Sequence, residues 1–142
     1  MAMQLETHAN TPVTERGLCH ILVADDDPSV VRLLQDNLDG LGYTVHCAYD
    51  GQAALRSALL YRPNLIIMDI NMPLKSGLQA LEFLRARPDT CKIPVIFVSG
   101  EPPEEIHPAI AGVSRVAFVH KPFDLESLNS LVQLFLAQYP TA

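Results

Sequence analysis

Five short apolar runs punctuate the chain, and segments with helical periodicity separate them. The runs are His20–Ala24, Tyr43–Ala48, Asn64–Asp69, Ile93–Val98 and Arg115–Val119. This alternation constrains the fold more than any other feature, because strands that alternate with helices at such spacing make a parallel sheet with helices on both faces. The third run, Leu65-Ile66-Ile67-Met68, is apolar at every position, as a central parallel strand covered on both sides must be. The helix signals are local. Asp27 is placed to cap a helix whose first position is Pro28, and Val30, Val31, Leu34, Leu38 and Leu41 give that helix an apolar stripe before Gly40 and Gly42 bracket its end. Asp50-Gly51 opens a second helix that runs to Tyr61 and stops before Pro63. A third spans 77–87 with Leu78, Leu81 and Leu84 inward, and Asp124 caps a last one carrying Leu125, Leu128, Leu131, Val132, Phe135 and Leu136.

Right-handed crossovers leave few topologies for this order. The expected fold is a flavodoxin-like (βα)5 three-layer sandwich with parallel sheet order 2-1-3-4-5. One segment breaks the pattern. Residues 101–112 stand where the fourth helix belongs, but Pro108 inside a helix costs about 3 kcal/mol. This helix is expected to be short, displaced or mobile.

With 142 residues the chain makes one domain with a real core, and 49% hydrophobic content excludes a disordered chain. Residues 1–18 are polar and aperiodic and read as a flexible tail; the domain proper is 19–139, with 140–142 as its end. The net charge is −6 and no Lys/Arg cluster exists, which argues against direct nucleic-acid binding. No apolar run approaches a membrane span and no signal-peptide core is present, so a cytoplasmic location without membrane insertion is expected. Cys19, Cys47 and Cys91 lack metal-binding or redox spacing and read as reduced thiols.

The chemistry sits where the runs end. The first runs into Asp25-Asp26-Asp27, the third stops on Asp69, the fourth on Ser99-Gly100, and the fifth passes through His120 into Lys121-Pro122. Open α/β sheets place their sites at this carboxyl edge. Asp25, Asp26 and Asp69 converge if strands one and three are neighbours, and three close carboxylates call for a hard cation such as Mg2+. Asp27 is explained as a cap alone. An aspartate flanked by a cation site, a hydroxyl and an ammonium is arranged as a nucleophile toward phosphorus, with positioning and charge neutralisation supplying the rate.

Four segments in order, Ile21-Leu22-Val23-Ala24-Asp25-Asp26-Asp27-Pro28, Asp69-Ile70-Asn71-Met72-Pro73 with Gly77, Val98-Ser99-Gly100 and Lys121-Pro122-Phe123, make the chain resemble a response-regulator receiver domain of two-component signalling over residues 19–138. The resemblance implies that Asp69 accepts a phosphoryl group from a histidine kinase or a histidine phosphotransfer protein. It implies Mg2+ held by Asp26, Asp69 and the Asn71 carbonyl, with Asp25 acting largely through water. It also implies a switch in which Ser99 moves toward the phosphoryl group and Phe118 turns inward, and a cis Lys121-Pro122 peptide. Asn71 and Glu101 stand at positions that, in this family, position a hydrolysing water, which implies a short-lived signal. The proline-interrupted segment 101–112 departs from the family on the face that usually meets partners.

The resulting expectation is a signalling switch that assists its own phosphorylation and dephosphorylation and is not an enzyme on an external substrate. Its downstream protein is unknown. One alternative is a phosphorylation-independent interaction module of the same fold, which loss of an acid, the hydroxyl or the lysine would favour. Another is a phosphatase with Asp69 as nucleophile; Asn71 stands where its second acid would be needed. Only Tyr139–Ala142 follow the last helix, and a stand-alone receiver and a receiver of a longer protein are both open.

Overall fold

The computed structural model describes residues 13–140. Five strands, β1 (His20–Ala24), β2 (Thr44–Ala48), β3 (Leu65–Met68), β4 (Val95–Ser99) and β5 (Val116–His120), form one parallel sheet in the order β2-β1-β3-β4-β5. Five α-helices follow them in turn: α1 (Pro28–Gly40), α2 (Gly51–Tyr61), α3 (Gly77–Arg85), α4 (Pro103–Ile110) and α5 (Leu125–Gln138). The expected flavodoxin-like sandwich and its strand order are what the chain adopts. Period-two alternation along the strands divides the core into two layers. Ile21, Val23, Leu65, Ile67, Ile96 and Val98 face α1 and α5, while Leu22, Ala24, Ile66, Met68 and Phe97 face the opposite layer with Ala54, Ala58, Ala80 and Leu84. Every residue of β3 is buried, as its unbroken apolar run required.

The helix starts follow their capping residues. Asp27 Oδ1 accepts from Ser29 N at 3.0 Å, Asp50 from Ala53 N at 2.7 Å and Asp124 from Ser127 N at 2.7 Å. Ser76 and Gln79 add a reciprocal capping box to α3. That helix ends at Arg85, two residues before the sequence reading, because Pro88 disfavours helical backbone at Arg87 and Thr90 Oγ1 donates to the freed Leu84 carbonyl at 2.8 Å. Likewise β4 begins at Val95, after Pro94, which has no N–H to donate. The fourth helix is short, eight residues from Pro103 to Ile110, with Pro108 inside it and no side-chain cap at Pro102. Ile106 is its buried residue.

Of the expected tail, residues 1–12 lie outside the described residues. Val13–Leu18 form a 3-10 helix against the β1–β2 edge. Thr44 Oγ1 donates to the Gly17 carbonyl at 2.7 Å, and Arg16 donates to the Leu41 carbonyl at 3.2 Å and lies over the Tyr43 ring. At the amino edge of the sheet, Arg85 donates to the carbonyls of Ile93, Ser114 and Arg115, joining the end of α3 to the segments that lead into β4 and β5. The three cysteines are free thiols, and no helix among the described residues is long and apolar enough to cross a membrane.

Gly77 seats α3 beneath Asp69. Its N–H donates to the Ile70 carbonyl at 2.7 Å, and a Cβ there would stand 2.2 Å from the Asp69 carbonyl oxygen. Backbone is the obstacle, so Gly77→Ala is expected to destabilise the domain by about 1–3 kcal/mol. Gly40, at the end of α1, has nothing within 4 Å of such a Cβ, and Gly40→Ala is expected to be neutral or stabilising by up to about 1 kcal/mol. Urea midpoints of the two variants against the parent chain check both.

Candidate functional site

Parallel pairing delivers four residues to one edge. Ala24 pairs with Met68, Met68 with Phe97, and Ser99 with His120, so the residues that follow β1, β3 and β5 and the last residue of β4 emerge side by side. The hydrogen-bond ladder runs one step beyond the strands. Asp25 N donates to the Ala48 carbonyl at 3.2 Å, Asp69 N to the Ala24 carbonyl at 2.9 Å and Lys121 N to the Ser99 carbonyl at 2.9 Å. The backbones that carry the site are therefore fixed by the sheet itself. The Lys121–Pro122 peptide is cis, as expected.

Lys121 Nζ reaches across this edge to two acids at once, Asp25 Oδ2 at 2.9 Å and Asp69 Oδ2 at 3.3 Å. Both acids are buried, at 2% and 8% exposure, which a carboxylate tolerates only with partners. Each has a second one in the backbone: Asp27 N donates to Asp25 Oδ1 at 2.9 Å, and Ile70 N to Asp69 Oδ1 at 2.6 Å. The compensation is incomplete. Burial pushes the Asp25 carboxyl above its ordinary value, and the charge of Asp69 adds to this, against the bonds from Asp27 N–H and Lys121. Burial also works against the Lys121 ammonium, but the bond to Asp25 and the two acid charges outweigh it and the group is held above its ordinary value.

Asp26 completes the acidic group from the solvent side. One oxygen from each of Asp25, Asp26 and Asp69 lies within 4.8 Å of the others, and Asp26 is exposed. Hard oxygen donors with one open side suit a small divalent cation that keeps part of its water shell, so this donor set fits the expected Mg2+.

The remaining expected residues ring these acids. Ser99, 1% exposed, accepts at Oγ from Glu101 N at 3.2 Å. Asn71 and Glu101 are joined directly, the Asn71 side-chain amide donating to the Glu101 carboxylate, so the loops after β3 and β4 are bridged. The sequence named both residues but held no signal for that bond, which depends on how two loops fold toward each other. Phe118 is half-buried on β5, with the His107 ring edge-on at 6.0 Å and His120 at 6.3 Å. The Ile70 N–H donor was not read from the sequence, and Gly77 was named there only within the matching motif, without the close approach to the Asp69 carbonyl that requires it.

Comparison with known proteins agrees with this geometry. The family model described as the response regulator receiver domain matches residues 21–133. The regulatory protein AtoC of Escherichia coli is 36% identical over 115 residues, which is 80% of this chain and 24% of AtoC. The alkaline phosphatase synthesis transcriptional regulatory protein PhoP of Bacillus subtilis is 33% identical over 82% of this chain and 48% of its own length. The chain thus spans half or less of these relatives. Among solved structures, the chemotaxis response regulator CheY4 of Vibrio cholerae superposes with a TM-score of 0.76 at 29% identity, over 83% of this chain and 98% of that one. The signal receiver domain of a histidine kinase from Syntrophus aciditrophicus gives 0.77 at 29% identity, over 87% and 94%. A sheet edge of buried acids, a hydroxyl and a lysine, on this topology and with these relatives, makes the chain a member of the response-regulator receiver-domain family.

Proposed function

We propose that the domain is a phosphorylation-controlled switch whose acceptor is Asp69 and whose donor is a phosphohistidine of a histidine kinase or histidine phosphotransfer protein. The observation that carries this reading is the buried Asp69 carboxylate with the Lys121 ammonium 3.3 Å away and two further acids beside it. An Asp69 oxygen forms the new bond to phosphorus as the P–N bond of the donor breaks, and the electron pair of that bond returns to the imidazole. Asp25, Asp26, Asp69 and the Asn71 carbonyl would hold Mg2+, which supplies charge neutralisation for the phosphoryl oxygens when bound. Lys121 answers the charge that arrives on Asp69, and the Ser99 hydroxyl offers a hydrogen bond to a phosphoryl oxygen. Departure of the Ser99 side chain toward that oxygen frees space into which Phe118 turns. Hydrolysis ends the signal: water attacks phosphorus, the acyl P–O bond breaks and the Asp69 carboxylate is restored. Asn71 and Glu101, bonded to each other over the loops, would orient that water. The domain serves its own phosphorylation and acts on no external substrate.

Incubation with Mg2+ and a small acyl phosphate, read by intact mass, is expected to give one phosphoryl adduct. Asp69→Asn should give none, and omission of Mg2+ should suppress it. Lys121→Met should slow its formation by roughly 10²-fold. An adduct that persists in Asp69→Asn, or none with either an acyl phosphate or a phosphohistidine donor, would overturn the assignment.

The acid cluster also predicts a stability effect. A carboxyl whose folded-state pKa is raised binds its proton more tightly folded than unfolded, so it favours the fold at low pH and loses that contribution as pH rises through the folded value. At neutral pH the ionised Asp25 is then a net cost. Asp25→Asn is expected to raise the urea midpoint in metal-free buffer at pH 7, and the gain should shrink toward pH 4. Added Mg2+ should stabilise the parent chain more than the variant.

A further inference from the structure

The opposite end of β1 carries a second cluster of ionisable groups, which the site does not use. His20 is the first residue of β1, and its backbone is clamped by Asn64, whose Oδ1 accepts from His20 N at 2.8 Å and whose N–H donates to the His20 carbonyl at 2.7 Å. His20 pairs with Thr44 and Leu22 with His46, so the two histidines are diagonal neighbours on the sheet face that α2 covers. His20 Nδ1 and His46 Nε2 stand 2.9 Å apart. The ring planes differ by 19° and the centroids are 5.1 Å apart. That separation exceeds the nitrogen–nitrogen distance by roughly twice the distance from an imidazole centroid to its own nitrogen. The two nitrogens therefore lie close to the line joining the ring centres, and the rings meet edge to edge in nearly one plane. Each lone-pair axis is aimed at the other nitrogen, which is the geometry of a shared proton. The other side of the cluster is Tyr61, the last residue of α2, whose ring lies face to face on His46 at 3.9 Å and 14°.

We infer that His20 and His46 form a proton-sharing pair, a pH-sensitive latch that ties β1 to β2 and to the end of α2. With both rings neutral, one facing nitrogen carries the proton and the other accepts it. One added proton can be taken at a nitrogen outside the contact, which leaves the N–H···N bond in place and makes it charge-assisted. A second makes both facing nitrogens N–H donors on two like charges, and the bond must open.

Among the described residues, the charged groups of the neighbouring elements are exposed or engaged elsewhere. β3 contributes only apolar residues, and α2 carries Arg56, which is exposed, and Tyr61. Arg62, the residue after α2, is paired with Asp89 at 3.7 Å, and Arg16 of the 3-10 helix is engaged with Leu41 and Tyr43. Burial pushes His46 below its ordinary value, and the charge of His20 pushes it in the same direction. A histidine held down in the fold contributes stability that is present above its unfolded value and lost as pH falls below it.

Imidazole NMR titration of the full chain between pH 8 and 5 tests the latch, with His46→Phe, which keeps a ring on Tyr61, and His20→Phe alongside. The parent pair should titrate in two steps more than about one pH unit apart, seen at both rings. The histidine left in either variant should titrate in one step. The urea midpoint of the parent should fall more steeply from pH 7 to 5 than that of His46→Phe. Single-step titrations in the parent, with midpoints that replacement of the partner does not move, overturn the inference. If one variant fails to fold, the other gives the same comparison, and the one-step or two-step form of the parent titration decides.

Discussion

A buried carboxylate needs a counter-charge, and in this domain one ammonium serves two of them. Lys121 lies just beyond the last strand, while its acid partners follow the first and third strands. The contact closes only if β5, β4, β3 and β1 stand in the observed order and register. It thus depends on the whole sheet and reports on it. It is also partly exposed on the lysine side, at 25%, so its worth lies in holding Asp25 and Asp69 in place more than in net stability.

The site is assembled at some cost to the fold around it. Asp25 is pushed toward its neutral form by burial, and the Asp69 charge reinforces this. A helix must also start so near Asp69 that only a glycine fits at position 77. Residues that serve chemistry commonly break the rules that serve stability. Both of these costs, the raised Asp25 carboxyl and the tight seat at Gly77, fall at the carboxyl edge of the sheet.

Much of this was legible in the sequence for a physical reason. Buried parallel strands require unbroken apolar runs, helices require stripes and caps, and the polar residues that terminate Leu65–Met68 or Val95–Ser99 mark the edge directly. What escaped notice was decided by contacts between distant segments. The 3-10 helix at Val13–Leu18 has no periodicity of its own and is fixed by Leu41, Tyr43 and Thr44. The Asn71–Glu101 bond and the His20–His46 pair are likewise tertiary events between residues 30 and 26 positions apart. Pro108 correctly signalled a short fourth helix, while the exact starts of β4 and the end of α3 turned on Pro94 and Pro88.

The three carbonyls gathered by Arg85 give the fourth helix unequal ends. Its trailing side returns to the sheet through Ser114 and Arg115, both held by the guanidinium, and Val95 N donates to the Arg115 carbonyl at 2.9 Å. Its leading side has no side-chain cap at Pro102 and is tied through Glu101, whose carboxylate accepts from Asn71 and whose N–H donates to Ser99 Oγ. The two ends are thus held by different chemistry, a guanidinium on backbone carbonyls at the amino edge of the sheet and the side-chain bonds of Glu101 beside the acid edge.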